Sequence, residues 1–228
     1  MLKFYYNGAP NPTKVALFLE EAGLPYEPVP IDTRLGDQHK PEFLAINPNA
    51  KVPAIVDGDV VVFDSNAILL YLAERTGKFL PTRDDKARGE MLSWLMFVAS
   101  GVGPYSGQSI HFRQYATEKI EYALNRYAFE AQRHFGILDA RLAKQKYVLG
   151  TTYTIVDMAT WGWARLVPTA LGEAAWAKFP NLKRLVDEIT ARPAAQRAVA
   201  LRDKFTFKTG MDDLARRSLY RHQLERVI

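Results

Sequence analysis

The chain has 228 residues, of which 48% are hydrophobic and 24% are charged, and it carries a net charge of +5 and no cysteine. This composition is typical of a globular protein with one large domain or two modest ones, and it argues against extensive disorder. Because cysteine is missing, the sequence excludes disulfides, thiolate metal sites, a CxxC redox centre and a cysteine nucleophile.

Hydropathy and charge also limit the partners. No apolar run approaches the ~20 residues that cross a bilayer, and the first residues, MLKFYYNGAP, lack the apolar stretch of a signal peptide. We therefore expect a cytoplasmic protein with no membrane partner. The basic residues are spread along the chain, so we expect no nucleic-acid partner. The histidines are scattered without helical ligand spacing, and we expect no metal.

The first 80 residues alternate strands and helices. The pattern predicts strands over 2–6 and 26–31, helices over 13–23, 41–46 and 65–75, and a hairpin over 54–63. Pro28 and Pro30 cannot donate ladder hydrogen bonds, so we expect the second strand at a sheet edge. The hairpin has its turn at Asp57-Gly58-Asp59, which is a strong turn signal.

Beyond about residue 84 the strand signals vanish. Helical patterns run over 84–100, 117–145, 154–170, 179–191 and 194–204. Glycine and proline interrupt the pattern in TGKFLPTRDD, residues 76–85, which marks a domain boundary. We therefore predict domains at 1–80 and 86–204, and residues 205–228 as an appended tail with one helical stretch.

The segment NPNAKVPAIVDGD, residues 47–59, places Pro53 directly before a strand that we expect in the centre of the sheet. Proline in that position leaves two interpretations. The bond after Val52 is trans and the strand is an edge strand, or the bond is cis and the backbone groups of Val52 are presented to a ligand.

The segment FDSNAILLYLAE places Asp64 and Ser65 where a strand ends and a helix begins. Capping of the helix explains this pair. An anion site explains it as well, because a helix N-terminus offers N–H groups and positive potential to a carboxylate. In that case Asp64 would pair with an ammonium group of the same ligand.

Two further motifs lie in the helical half. In TYTIVDMATW, Thr154 and Asp157 have the spacing of a capping box, and we assign them a structural role. In GVGPYSGQSIHF, residues 101–112, three glycines and a proline predict that a helix breaks or kinks, and we interpret the segment as a connection between two helices.

Taken together, these motifs resemble the glutathione transferase superfamily, and most closely its nu class of glutathione-dependent disulfide-bond reductases. The resemblance rests on FLEEAGLPY, PEFLAINPNAKVPAIVD, AILLYLAE and GVGPYSGQSIHF in this order. It implies an N-terminal thioredoxin-like βαβαββα domain followed by an all-helical domain. It also implies a homodimeric enzyme whose cosubstrate is glutathione.

The resemblance assigns a glutathione site as well. It implies a cis Pro53 with Val52 reading the cysteinyl part, and Asp64 and Ser65 binding the γ-glutamyl end. Many members carry Glu at the position of Asp64. Further residues implied to contact the tripeptide are Gln38, Lys51 and, across a dimer interface, Arg133. For Lys51 and Arg133 the alternative is an ordinary solvated side chain.

The group that activates the thiol is less fixed by the sequence. The first serine is Ser65, so a serine after the first strand is excluded. Strand alternation directs Tyr5 and Tyr6 to opposite faces. The nu class places an asparagine where Asn11 stands, although its neighbouring threonine is replaced by Ala9. We predict Asn11 as the catalytic group, with Tyr5 as the alternative.

The implied activities are reduction of disulfides and conjugation of glutathione to small electrophiles. We expect the acceptor pocket to include Tyr105, His111 and Phe112. The alternative is a non-catalytic protein of the same fold that binds ligands or partners.

Overall fold

The computed structural model describes residues 1–81 and 84–223. Its contacts divide the chain into two compact units, residues 1–71 with 196–228, and residues 72–195. The boundaries predicted from the sequence, 1–80, 86–204 and 205–228, stay a prediction. Among the described residues, no helix is long and apolar enough to span a bilayer.

The first unit contains a sheet of four strands in the order β2-β1-β3-β4. The strands are β1 (Leu2–Tyr6), β2 (Tyr26–Pro30), β3 (Ala54–Asp57) and β4 (Val60–Phe63). Strand β1 pairs with β2 in parallel and with β3 antiparallel, and β3 and β4 form the predicted hairpin. The proline-containing β2 lies at the edge and β3 lies inside the sheet, and both predictions are confirmed.

Short helices connect these strands. They are α1 (Pro10–Ala22), a 3-10 turn (Asp37–His39), α2 (Pro41–Leu44) and α3 (Ser65–Thr76), which continues into the second unit. Helix α1 ends at Gly23, whose φ of 65° is left-handed and needs no Cβ to be accommodated. The order βαβαββα is the predicted thioredoxin-like arrangement. Phe4, Leu17, Phe18, Ile55 and Leu69 are fully buried in its core.

The second unit is helical. Its elements are α4 (Asp85–Phe97), a π-helical turn (Val98–Val102), α5 (Gly103–Gln114), α6 (Glu121–Leu142), α7 (Ile155–Ala164), α8 (Val167–Leu171), α9 (Pro180–Thr190) and α10 (Pro193–Ala200), which reaches into the first unit. The predicted all-helical second half is confirmed.

The predicted interruption of the helix is present as the π turn Val98–Val102, which separates α4 from α5. The interpretation of residues 101–112 as a connection is wrong, because α5 runs from Gly103 to Gln114. Pro104 stands in the first turn of α5, a position in which proline is common. Gly101 admits a close neighbour, since a Cβ there would lie 2.4 Å from His134 Nε2. The glycines therefore serve packing between helices rather than a connection.

The capping box at the start of α7 is confirmed. The Asp157 carboxylate accepts hydrogen bonds from Thr154 N at 2.8 Å and from Val148 N at 2.8 Å. Both residues are fully buried, so this pair anchors α7 inside the helical unit, as its structural assignment requires.

The C-terminal residues return to the first unit. After α10 the chain forms a 3-10 turn (Leu201–Lys204) and then α11 (Asp213–Leu219), which is the predicted helical stretch of the tail. Tyr6 anchors this return: its hydroxyl donates to Leu201 O at 3.0 Å, and its ring meets Phe205 and Phe207 edge-on.

Candidate active site

The start of α3 combines an exposed carboxylate with buried polar residues. Asp64 has a left-handed φ of 67°, and its Oδ1 accepts Asn66 N at 2.8 Å and Ala67 N at 3.1 Å. Ser65 and Asn66 are each 3% exposed. Asp64 thus caps the helix with one oxygen and presents its other oxygen at the surface, so capping and ligand binding are compatible here.

A buried lysine links α3 to α1. Lys14 is 1% exposed, and its Nζ donates to Asn66 Oδ1 at 2.9 Å. Burial lowers the pKa of Lys14 to about 7, while the Asp64 charge acts in the opposite direction. Sequence reasoning missed this residue, although a lysine among the apolar residues of TKVALFLEEAG was its one visible signal.

The start of α1 lies in the loop after β1. Asn7 orders that loop, because its Oδ1 accepts Ala9 N at 3.0 Å and its Nδ2 donates to Thr33 Oγ1 at 3.2 Å. The helix begins Pro10-Asn11-Pro12, and Ala9 provides no side-chain cap. Since proline has no N–H, Asn11 is the one residue of these three that carries a backbone donor, and it adds a side-chain amide.

The two tyrosines of β1 differ in their surroundings. Tyr6 is 2% exposed, and burial raises its pKa to about 12, so it stays protonated at neutral pH. Tyr5 packs against Phe43 in a cluster with Ile31, Ala54 and Val52. Tyr5 is therefore on the opposite face, as predicted, with its ring in an apolar cluster.

The Val52-Pro53 peptide bond is cis, which is the interpretation that the family resemblance favoured. Asn47 orders the approach to it, because its Nδ2 donates to Lys51 O at 2.6 Å and its Oδ1 accepts Asn49 N at 3.0 Å. Lys51 itself is exposed, with its side chain at the surface.

Gln38 is in a different position from the other predicted site residues. It is 3% exposed, and its Nε2 donates to Ser218 Oγ at 2.9 Å and to Thr33 O at 3.2 Å. Ser218 belongs to α11 in the C-terminal segment. No sequence pattern predicts this contact, since it joins residues 180 positions apart.

The remaining predicted residues lie in the second unit. Arg133 donates from Nε to Glu130 Oε2 at 3.0 Å and lowers the pKa of that carboxyl. Tyr105 stacks on His134 with centroids 5.1 Å apart, and His111 meets Phe112 edge-on at 5.2 Å. Tyr105 and Phe112 both pack against Tyr127.

The structure thus places the predicted residues of the first unit other than Gln38 on β1, at the start of β3 and at the starts of α1 and α3. Tyr5 pairs in register with Ala54, directly after Pro53, and Lys14 joins α1 to Asn66. Tyr105, His111 and Phe112 form one aromatic group of the second unit. Among the described residues, no cluster of histidine and carboxylate side chains has the form of a metal site.

The chain matches two family descriptions. Residues 2–74 match the glutathione S-transferase N-terminal domain, and residues 101–193 match the glutathione S-transferase C-terminal domain. A thioredoxin-like first domain followed by this helical domain defines the class of protein.

Two relatives identified by sequence similarity support the same family. The disulfide-bond oxidoreductase YfcG of Escherichia coli is 39% identical over 213 residues, 87% of this chain and 94% of that protein. YghU of the same organism, also a disulfide-bond oxidoreductase, is 40% identical over 86% of this chain and 73% of that protein. The chain belongs to the glutathione S-transferase family.

Solved structures give the same result. A glutathione transferase family member from Pseudomonas fluorescens with two glutathione bound has a TM-score of 0.83 and 38% identity, covering 87% of this chain and 92% of that one. A glutathione transferase from Pseudomonas putida with glutathione disulfide bound has a TM-score of 0.80 and 33% identity, covering 87% and 90%.

Proposed function

We propose that this protein is a glutathione-dependent enzyme that uses the glutathione thiolate to reduce disulfides and to conjugate small electrophiles. The observation that carries the proposal is the start of α3, where Asp64 is exposed above the buried Ser65 and Asn66, in a chain of this family. Relatives named as disulfide-bond oxidoreductases make disulfide reduction the first activity to test.

The tripeptide is assigned along the first unit. The Ser65 end of α3 takes the γ-glutamyl carboxylate, because a helix start provides N–H donors and positive potential. Asp64 takes the ammonium group through its surface oxygen. The backbone of Val52, beside the cis Pro53, takes the cysteinyl part. Gln38 and Lys51 remain for the glycyl end, where the lysine charge matches a carboxylate.

The sulfur is assigned to the start of α1. A free thiol has a pKa of ~8.5, and donors at a helix N-terminus lower it. Asn11 supplies a backbone N–H and a side-chain amide at that position, whereas Tyr5 is directed into the cluster with Phe43. Asn11 is therefore the proposed donor to the thiolate.

The exchange then needs no residue of the protein as a nucleophile. The thiolate attacks one sulfur of a disulfide, a new sulfur–sulfur bond forms with glutathione, and the other sulfur leaves as a thiolate. A second glutathione thiolate attacks the mixed disulfide at the glutathione sulfur. Glutathione disulfide and the second substrate thiol are the products.

We assign the pocket for the acceptor substrate and the dimer contacts to the second unit. Tyr105, His111 and Phe112 supply an aromatic surface for the acceptor, and Arg133 supplies a cation to the glutathione of a partner protomer. Helix α6 exposes Tyr122 and Phe129, 81% and 60% accessible, which is unusual for such large rings and favours a two-fold dimer. Sedimentation at micromolar concentration should report a dimer, and a monomer would contradict it.

The test is turnover of a small disulfide with glutathione, followed by formation of glutathione disulfide, beside conjugation of an electrophile. We expect reduction of the disulfide above the uncatalysed rate, with saturation in glutathione. Saturable binding of glutathione without turnover of either substrate would favour the alternative, a non-catalytic ligand-binding protein of the same fold.

A further inference from the structure

The C-terminal segment, residues 205–219, is docked on the loop that leads to Gln38. The buried carboxylate of Asp32 accepts Lys208 N at 2.6 Å, and Arg34 Nη1 donates to Lys208 O at 3.2 Å. The N–H and the carbonyl of Lys208 are therefore each bound by a different charged side chain, and hydrogen bonds to charged groups are among the stronger ones. The first unit thus has a surface that binds peptide backbone.

Further along, Ser218 fastens α11 to the same loop. Its Oγ accepts from Gln38 Nε2 at 2.9 Å and donates to Thr33 O at 2.7 Å, and its carbonyl lies 3.0 Å from His39 Nε2. Gln38 Oε1 is buried and has no hydrogen-bond partner among the described residues. An acceptor buried without a donor costs free energy, so this closed contact leaves Gln38 half satisfied.

Gln38 cannot contact glutathione in this arrangement, because its side chain is covered and its amide hydrogens are directed at Thr33 and Ser218. A tripeptide carries both N–H donors and a terminal carboxylate. It can satisfy the Gln38 oxygen as well as its nitrogen, which Ser218 does not.

We propose that the C-terminal segment is a competing cover of the glycyl end of the glutathione site, fastened by Ser218 to Gln38 and displaced when glutathione binds. This inference rests on the proposed function, in which Gln38 contacts the tripeptide. Phe205 and Phe207, which pack edge-on against the buried Tyr6 at 5.8 and 6.1 Å, hold the base of the cover in place. When the cover opens, α11 moves away while Phe205 and Phe207 stay packed against Tyr6.

The variant Ser218→Ala tests the cover, because it removes the fastening hydroxyl and leaves the proposed glutathione contacts intact. Titration calorimetry of the full chain should show glutathione binding about twofold to tenfold more tightly, the factor expected for loss of the hydrogen bond between Ser218 and Gln38, while the bond to Thr33 O adds to it. Ser93→Ala is the matched control, since Ser93 is exposed on α4 and its hydroxyl donates to Gly89 O in its own helix. That control should bind like the wild type.

A double-mutant cycle shows whether the effect passes through Gln38. In a Gln38→Ala background, Ser218→Ala should raise glutathione affinity by a smaller factor than in the wild type, because only the hydrogen bond from Ser218 to Thr33 O is then left to lose. An equal gain in both backgrounds would overturn the fastening at Gln38. Unchanged or weaker binding by Ser218→Ala in the wild-type background would overturn the cover itself.

Hydrogen exchange provides a second measurement. Glutathione should speed the exchange of the amides of Arg216 and Tyr220, which donate to Asp212 O and Arg216 O in the docked helix. Slower exchange would mean that the segment closes over the bound tripeptide and would overturn displacement. If the wild type does not bind glutathione at all, the proposed function fails and the cover with it, whereas normal wild-type binding with no change in Ser218→Ala removes the cover alone.

Discussion

The starts of α3 and α7 show how a fully used helix cap differs from one whose carboxylate is exposed to solvent. At α7, Asp157 is fully buried and accepts from Val148 N, Thr154 N and Thr154 Oγ1. At α3, Asp64 is exposed and its Oδ1 alone accepts the capping N–H groups. Both pairs fit a capping pattern in the sequence. The difference lies in how much of the carboxylate the chain itself uses, and only Asp64 retains an oxygen for a ligand.

The electrostatic surroundings extend this comparison. Burial raises the pKa of Asp157 to about 6, and the donors around it offset only part of that effect. Near Asp64 the buried charge is a cation instead, Lys14, which lies beneath Asn66. A site for an anionic ligand needs the second arrangement, since a neighbouring cation favours a bound carboxylate.

The largest expected effect is on the structural cap. Asp157→Ala strands the Val148 and Thr154 donors inside the helical unit, and we expect it to lower the free energy of unfolding by about 3 kcal/mol or more. Thermal and urea unfolding measure this. Asp85→Ala, at the exposed start of α4, is the matched control and should cost well under that amount.

The Asp157→Ala variant also distinguishes an effect on folding stability from an effect on glutathione binding. At a temperature where the variant is still folded, its glutathione affinity should equal that of the wild type. A folded Asp157→Ala protein with weakened binding would mean that the α7 cap is not purely structural and would break the comparison.

The next effect concerns a third helix start, that of α1, which lacks a side-chain cap. Asn11→Ala should slow turnover about 10- to 100-fold, because it removes a preorganised donor to the thiolate. It should also raise the pH at which bound glutathione ionises, which the thiolate absorbance reports. Tyr5→Phe is the matched control, since it removes only a hydroxyl.

The opposite outcome of this titration would identify Tyr5 as the activating residue. If Tyr5→Phe shifts the thiolate curve and Asn11→Ala does not, the enzyme is of the tyrosine type. If neither variant shifts it, the activating groups are the backbone N–H donors at the start of α1.

Ser65→Ala tests the binding role of α3. We expect glutathione affinity to fall about tenfold, the middle of the range for stranding a buried polar partner, with little change in unfolding free energy. Ser100→Ala, whose hydroxyl donates to Met96 O in its own helix, is the control. Titration that shows unchanged affinity in a folded Ser65→Ala protein would remove α3 from the site.

These comparisons also show what the sequence could reveal. Alternation and proline placement predicted β2 at the edge and β3 inside, because those signals are local. The helix through residues 101–112 was missed, since glycine there serves contacts with His134 and Trp163 that lie far along the chain. Ser218 on Gln38 and Lys14 on Asn66 were missed for the same reason, as each contact depends on the folded chain bringing distant residues together.

The smallest expected effect is a pH dependence from Lys14. Burial lowers its pKa to about 7, so the ammonium loses its proton as the pH rises through neutrality. A bound γ-glutamyl carboxylate favours the protonated form, and affinity for the anion should therefore fall as pH rises. S-methylglutathione is the appropriate ligand, because it has no thiol whose own ionisation would favour binding at higher pH.

We expect the affinity of the wild type for S-methylglutathione to fall a few-fold between about pH 6 and pH 8, by the coupling of one charge to one ligand. Lys14→Met should bind more weakly at the lower pH and show a flatter profile, while Lys86→Met, an exposed lysine on α4, should follow the wild type. Unfolding provides an independent test. Lys14 loses its proton near pH 7 in the folded protein and only near about pH 10.4 in the unfolded chain. Between these values the unfolded chain binds more protons, so the free energy of unfolding of the wild type should rise with pH relative to that of Lys14→Met. A wild-type binding profile as flat as that of Lys14→Met would show that the ammonium does not sense the ligand and is only a structural partner of Asn66.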